Sequence, residues 1–278
     1  MPELPEVETI VRGLRQGGRE GPPLVGRTFL VAQLSWERSL AEPSPAEFVA
    51  RLPGQQVVDV QRRGKFILLQ LTQDWLLFHL RMSGDLRVES KVQTSLQPHD
   101  RAVFELDHHL RLVFNDPRKF GRLWLTANSQ EVLGRLGPEP MDPSLSAEDF
   151  YQRLHHSRRQ LKPLLLDQSF LAGLGNIYTD EALHLARMHP LQASDSLDQN
   201  QASQLLNAIR KVLVEGIRRN GASIDWVYRG GSFQNHFRVY QRTGEPCPNC
   251  GTPVERCRVG QRSTHYCPVC QPLIRHFE

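Results

Sequence analysis

Cysteine is absent from the first 246 residues of this 278-residue chain, and all five of its cysteines come after that point. The N-terminus also lacks a charged segment leading into an apolar one, so no secretory signal is expected. Without export, disulfides are not expected either, and the clustered cysteines need another explanation. No apolar run approaches the ~20 residues of a membrane span, which excludes a helical membrane protein. Heptads, internal repeats and low-complexity tracts are missing too. These absences predict a cytoplasmic monomer with no membrane partner.

One more absence points to a partner. No acid lies between Asp149 and Asp167, where Arg153, Arg158, Arg159 and Lys162 fall together with His155 and His156. Arg62, Arg63 and Lys65 form a second basic cluster. A third begins at Arg238, with six arginines against Glu245, Glu255 and Glu278. Each cluster alone reads as a solvated face. Three of them, with a net charge of +4, fit a surface that follows phosphates.

The chain is long enough for one large domain or two, and 39% hydrophobic residues can build a real core. From Pro5 to about Leu14, Val7, Ile10, Val11 and Leu14 recur at helical spacing. Short β-branched and apolar runs follow: 28–34, 57–60, 66–71, 75–80, 86–88, 102–106, 110–114 and 123–126. With turn residues between them they predict a β-sandwich or barrel. Residues 46–51 read as a helix packed on it. Three prolines and two glycines in 134–143 read as a linker. Beyond it, 146–156, 161–166, 176–188 and 203–219 read as helices, and short strands return after Phe237.

Three stretches carry chemistry. Cys247-Pro-Asn-Cys250 and Cys267-Pro-Val-Cys270 are separated by sixteen residues. Two such knuckles deliver four thiolates to one tetrahedral zinc, and four protein ligands leave no position for water. The site is therefore expected to be structural, with Cys257 outside it. The hairpin between the knuckles carries Arg256, Arg258 and Arg262, which suits a nucleic-acid finger; the alternative is a ribbon that only braces the fold or binds protein. Gly173-Leu174-Gly175-Asn176 opens a helix. It reads either as a helix connection or as backbone amides presented to a phosphate. The N-terminal Pro2-Glu3-Leu4-Pro5-Glu6 reads first as an acidic helix start. Removal of Met1 would give Pro2 a free secondary amine beside two carboxylates, and such an amine is partly neutral near pH ~8.

Taken together, Pro2-Glu3-Leu4-Pro5-Glu6-Val7-Glu8-Thr9, Gly173-Leu174-Gly175-Asn176-Ile177-Tyr178 and the four-cysteine finger resemble bacterial formamidopyrimidine-DNA glycosylase, the 8-oxoguanine DNA glycosylase/AP lyase. The likeness runs from residue 2 to about 271. It implies an α+β fold: an N-terminal β-sandwich with flanking helices (1–134), a linker (135–145), a helix–two-turns–helix domain (146–236) and a zinc finger (237–278). DNA would lie in the cleft between the halves. The implied enzyme is a DNA repair glycosylase with AP lyase activity, acting on damaged double-stranded DNA. It would hold one structural zinc, need no small-molecule cofactor, and sit in the cytoplasm at the nucleoid.

The resemblance also implies roles. Pro2 would be the nucleophile at C1′, Glu3 the acid/base at the sugar, Lys65 the proton donor of β-elimination and Arg262 the phosphate clamp of δ-elimination. His99, Arg118, Arg158, Asn176 and Tyr240 would contact DNA. Met82, Arg118 and Phe120 would fill the gap left by an extruded base, although by residue type alone Phe120 reads as core. Glu6, Lys162 and Ser223 would line the lesion pocket, with 221–233 as a lid over the extruded base. Arg81 departs from the family's small residue, and His265 from its usual aromatic. Two alternatives stay open: the endonuclease VIII-like branch for oxidised pyrimidines, and a DNA-binding protein without catalysis.

Overall fold

The computed structural model describes residues 1–18, 21–92, 95–223 and 230–273. The chain divides into two compact units, one of residues 1–135 with 223–230, the other of 136–222 with 231–278.

In the first unit, helix α1 (Leu4–Gln16) starts earlier than its apolar spacing predicts, at Leu4. Glu3 occupies the N-cap and forms a capping box with Glu6. Each carboxylate takes a backbone N–H that the helix start would otherwise leave unpaired. Strands β1 (Phe29–Leu34) and β2 (Leu40–Glu42) follow, then α2 (Pro45–Arg51). Next come β3 (Val57–Arg63), β4 (Phe66–Leu71), β5 (Trp75–His79), β6 (Asp85–Ser90), β7 (Asp100–Leu106), β8 (Leu110–Asn115) and β9 (Arg122–Thr126).

They form a four-stranded sheet, β1-β7-β8-β6, and a five-stranded sheet, β2-β9-β5-β4-β3. Every pairing is antiparallel except β2 with β9. Alternate residues of both sheets meet in one core. Phe78 of the larger sheet packs on Phe104 and Phe114 of the smaller, with ring centroids 6.1 and 5.9 Å apart. Val7, Ile10, Val11 and Leu14 of α1 enter the same core, and α1 packs along β3 and β4. The sandwich thus fixes the start of α1, where the reactive residues are expected.

The short helix α3 (Gln130–Leu133) closes this unit. The second holds α4 (Ala147–His155), α5 (Leu161–Leu166), α6 (Asn176–Leu185) and α7 (Gln199–Arg218), then the hairpin β10 (Glu255–Val259) and β11 (Arg262–Tyr266). Ser146 and Asp198 cap α4 and α7 through capping boxes. Of the segment 135–145, expected as a linker, residues 136–145 belong to this unit. The Arg210 guanidinium donates to the carbonyls of Pro140, Asp142 and Leu145 at 2.7, 3.3 and 2.7 Å. Among the described residues no helix is long and apolar enough to cross a membrane.

Candidate active site

In the first unit, Pro2 is buried directly before the N-cap of α1. Glu3 and Glu6 are each 2% exposed, and the Glu3 amide donates to Glu6 Oε2 at 2.7 Å. The residue following Pro2 is therefore held by a side chain as well as by the helix. Lys65 sits in the turn between β3 and β4 and is 5% exposed. His79 lies nearby on β5. Burial, then the positive charges of Arg81 and Lys65, push it down to about 3. It stays neutral at physiological pH, and its Nδ1 accepts the Arg81 N–H at 3.1 Å.

Two loops of the same unit present the expected wedge residues together. Met82 is 40% and Phe120 54% exposed, so Phe120 is not a core residue. Arg118 Nη1 lies 3.9 Å from Met82 Sδ. The loops are joined by Asp116, which is fully buried. One of its carboxylate oxygens accepts the Ser83 hydroxyl and the Arg118 amide, the latter at 3.2 Å. The other accepts the Gly121 amide at 2.7 Å. His99 joins the group through its carbonyl, which takes the Asp116 amide at 3.0 Å. Lys119 Nζ caps the Trp36 ring at 4.0 Å. A Cβ on Gly121 would come 2.3 Å from the Phe114 ring, so this turn also needs glycine.

Neither Asp116 nor Ser83 was legible as a site residue from the sequence. The Asn-Asp-Pro turn was the signal, because Asp before Pro commonly organises a turn by accepting nearby amides. Asp116→Ala removes the acceptor of three donors, of which the Arg118 amide alone keeps another, Ser83 Oγ at 3.2 Å. We expect it to destabilise the unit by roughly 2–4 kcal/mol, read as a lower urea midpoint, and to loosen both loops.

In the second unit, Gly175 is the N-cap of α6 and Asn176 its first residue. Asn176 Nδ2 donates to the Ser263 carbonyl at 3.0 Å, while its Oδ1 is buried without a hydrogen-bond partner. Arg262 is exposed at the start of β11. Tyr240 packs its ring on His265 at 5.1 Å. Its amide, with those of Arg238 and Val239, donates to the buried Glu181 carboxylate. Arg158 is 93% exposed, 3.7 Å from Asp195. Ser223 is half-buried, but the expected lid extends through 224–229, outside the described residues.

Lys162, expected to line the lesion pocket, has a side chain that is 0% exposed and paired with Asp180 at 2.6 Å. The packing of α5 and α6 against the finger buries it, and burial of an ammonium requires such a partner.

The four cysteine sulfurs lie within 4.8 Å of one another. Cys250 and Cys267 are 3.5 Å apart, Cys247 and Cys270 3.9 Å. A tetrahedron of 2.3 Å zinc–sulfur bonds has edges of about 3.8 Å, so the cluster fits one zinc ion. Burial, followed by hydrogen bonds with the other sulfurs, pushes Cys270 up to about 12. Cys250 moves the other way, lowered to about 6 by hydrogen bonds with Thr252, and a bound zinc would displace the protons of all four thiols. His184 Nε2 reaches Cys247 Sγ at 3.3 Å, supporting the site from α6. Cys257 is on β10, outside the cluster.

Comparison with known proteins decides the family. Residues 1–123 match the model of the formamidopyrimidine-DNA glycosylase N-terminal domain, and 136–227 that of the same family's H2TH domain. Residues 244–273 match a zinc finger found in FPG and IleRS. The chain belongs to the formamidopyrimidine-DNA glycosylase family. A formamidopyrimidine-DNA glycosylase of Herpetosiphon aurantiacus is 44% identical, with 98% of this chain and all of that one covered. One of Chloroflexus aurantiacus is 45% identical over 100% of both chains. The fold is similar to a Lactococcus lactis FPG mutant in complex with Fapy-dG containing DNA. The TM-score is 0.89 and the identity 33%, over 98% of this chain and 100% of that one. It is equally similar to the L. lactis enzyme with abasic-site DNA, with a TM-score of 0.89 and 32% identity over 97% and 99%. The family's α+β architecture, its zinc finger and its enzymatic class, a DNA repair glycosylase, are those of this chain.

Proposed function

We propose that this enzyme excises oxidised purines, such as 8-oxoguanine and ring-opened formamidopyrimidines, from double-stranded DNA, and nicks the strand by β,δ-elimination. The observation that carries this reading is the start of α1: Pro2 is followed by two buried carboxylates, one tied to the backbone beside it.

While Met1 is attached, the Pro2 nitrogen is an amide and not a nucleophile. Once Met1 is removed it is a secondary amine. The amine attacks C1′, the bond from C1′ to the base breaks, and the base leaves with its electron pair and takes up the proton that the Pro2 nitrogen loses. Glu3 protonates the ring oxygen as the sugar opens, and an iminium joins Pro2 to C1′. Because the amine is secondary, the iminium is necessarily cationic and acidifies the C2′ proton. Loss of that proton expels the 3′ phosphate, and a second elimination expels the 5′ phosphate. Glu3 and Lys65 are the groups that carry protons. Glu6 holds the backbone beside Pro2.

Met82, Arg118 and Phe120 fill the stack after the base leaves it. Unstacking costs a few kcal/mol, and inserted side chains offset part of that. His99, Arg158, Asn176, Tyr240 and Arg262 bind phosphates. Arg262 acts as an electrostatic clamp, since a guanidinium is not deprotonated in a protein. Ser223 belongs to the lesion-facing loop. Residues 146–236 serve as the DNA-binding helical domain and 237–278 as the finger. Zinc bound by Cys247, Cys250, Cys267 and Cys270 supplies folding energy to the finger and no reaction step.

The test uses paired duplexes, one carrying 8-oxoguanine and one an oxidised pyrimidine. We expect excision and a doubly eliminated nick on the first at a rate at least ~10-fold higher, a modest discrimination for pocket contacts. A preference for the pyrimidine duplex sinks the lesion assignment and favours the endonuclease VIII-like alternative.

A further inference from the structure

Lys162, expected at the lesion, is buried inside a polar network that ends on the two strand residues Ser263 and His265, just after Arg262. Its ammonium pairs with Asp180 at 2.6 Å and donates to the Ser263 carbonyl at 2.9 Å. Asn176 donates to that same carbonyl at 3.0 Å. The second Asp180 oxygen accepts the His265 amide at 2.9 Å and meets the His265 ring at 3.2 Å. Lys162 is 0% and Asp180 1% exposed.

The backbone immediately after Arg262 is thus gripped at residues 263 and 265 by side chains of α5 and α6. On its other side Arg262 follows a two-residue turn. Gly260 and Gln261 both have positive φ, 52° and 62°, the conformation of a tight hairpin. Arg262 pairs with Val259 across this turn. Ser263, Thr264 and His265 are buried or half-buried, while Arg262 is exposed.

Burying a lysine–aspartate pair costs desolvation that an apolar contact of the same shape avoids. Its benefit must therefore lie elsewhere, and a directional grip on two backbone groups is what an apolar contact cannot provide. We propose that Lys162 and Asp180 are positioning residues that set the finger strand on α5 and α6 so that Arg262 is held ready for a phosphate. This rests on the reading of Arg262 as a phosphate clamp. The lysine acts on DNA through Arg262 and touches neither base nor sugar.

The experiment compares the full-length, zinc-loaded wild-type protein with Arg262→Ala, with Lys162→Met combined with Asp180→Asn, and with the triple variant. The paired change leaves no unpaired buried charge. The carboxamide introduced by Asp180→Asn can still accept the His265 amide, so the fold and the zinc content are retained. Affinity for a duplex bearing a reduced abasic-site analogue is measured against salt concentration. Loss of one phosphate contact lowers the slope of log K against log[salt] by about 0.9, with an expected loss of affinity of about tenfold at moderate salt.

Arg262→Ala and the paired variant should each show both effects, and the triple variant should match Arg262→Ala within about twofold. A merely structural role would instead weaken binding without changing the slope, and would multiply with Arg262→Ala. Either that pattern or a paired variant that binds like wild type overturns the positioning role alone. An unchanged slope in Arg262→Ala itself overturns the clamp, and the positioning role with it.

Discussion

Pro2→Gly is expected to lower lesion-strand cleavage by at least ~10³-fold, in keeping with removal of a covalent nucleophile. The argument is geometric and electronic. Proline at this position offers a secondary amine whose ring fixes the direction of its lone pair. The capping box from Glu6 then fixes the next residue, and the sandwich core holds Val7, Ile10, Val11 and Leu14 of the same helix. Glycine keeps an amine but loses the ring, and its imine can lose a proton and become neutral. The C2′ proton is then no longer acidified and elimination slows. Affinity for an uncleavable lesion analogue should change little, because Pro2 makes none of the proposed phosphate contacts. Single-turnover cleavage and equilibrium binding, measured side by side, separate the two. If cleavage falls only in proportion to binding, the nucleophilic role is wrong.

Removal of zinc is the second large effect. The four sulfurs converge from two knuckles, and the apolar cluster around them is small: Val239, Cys247, Val254 and Cys267 are buried in it, with Cys270 packed against them. So few apolar groups cannot hold a hairpin alone. Structural zinc contributes about 10–16 kcal/mol to folding in isolated finger peptides. Here α6 adds direct contacts: Glu181 to the amides of 238–240, Asp180 to His265 and His184 to Cys247. We expect chelation, or Cys270→Ser, to disorder β10 and β11 and to reduce DNA affinity by at least ~10²-fold, since charged contacts on the hairpin are lost together. The first unit should stay folded. Zinc content, affinity and the near-ultraviolet signal of the sandwich tryptophans give the readout. Retention of full affinity by a zinc-free protein would contradict a structural finger.

Much of the sandwich was legible because its strands are short, apolar and bounded by turn residues. The run 66–71 became β4 with the same bounds. The strand β2 was not legible, since three residues carry no period and it pairs through β9, more than eighty positions away. The cysteines were legible because metal geometry fixes their spacing. Lys162 was not. Nothing in Leu161-Lys162-Pro163 says that the lysine points inward, and its partner Asp180 lies eighteen residues on, in another helix. Asp116 was hidden for a related reason. A buried carboxylate that ties two loops is recognisable only once the loops are adjacent. Phe120 shows the converse, an aromatic that composition assigns to a core and that folding leaves more than half exposed.

The central claim is that Pro2, freed of Met1, bonds covalently to C1′ of the damaged nucleotide. It is tested by mixing the enzyme with duplex DNA carrying 8-oxoguanine in the presence of borohydride, then digesting the adduct and sequencing the modified peptide. The account predicts a stable cross-link mapping to a peptide that begins at Pro2, with the modification on its nitrogen. An adduct on a lysine, or cleavage of the strand with no adduct at all, would contradict it.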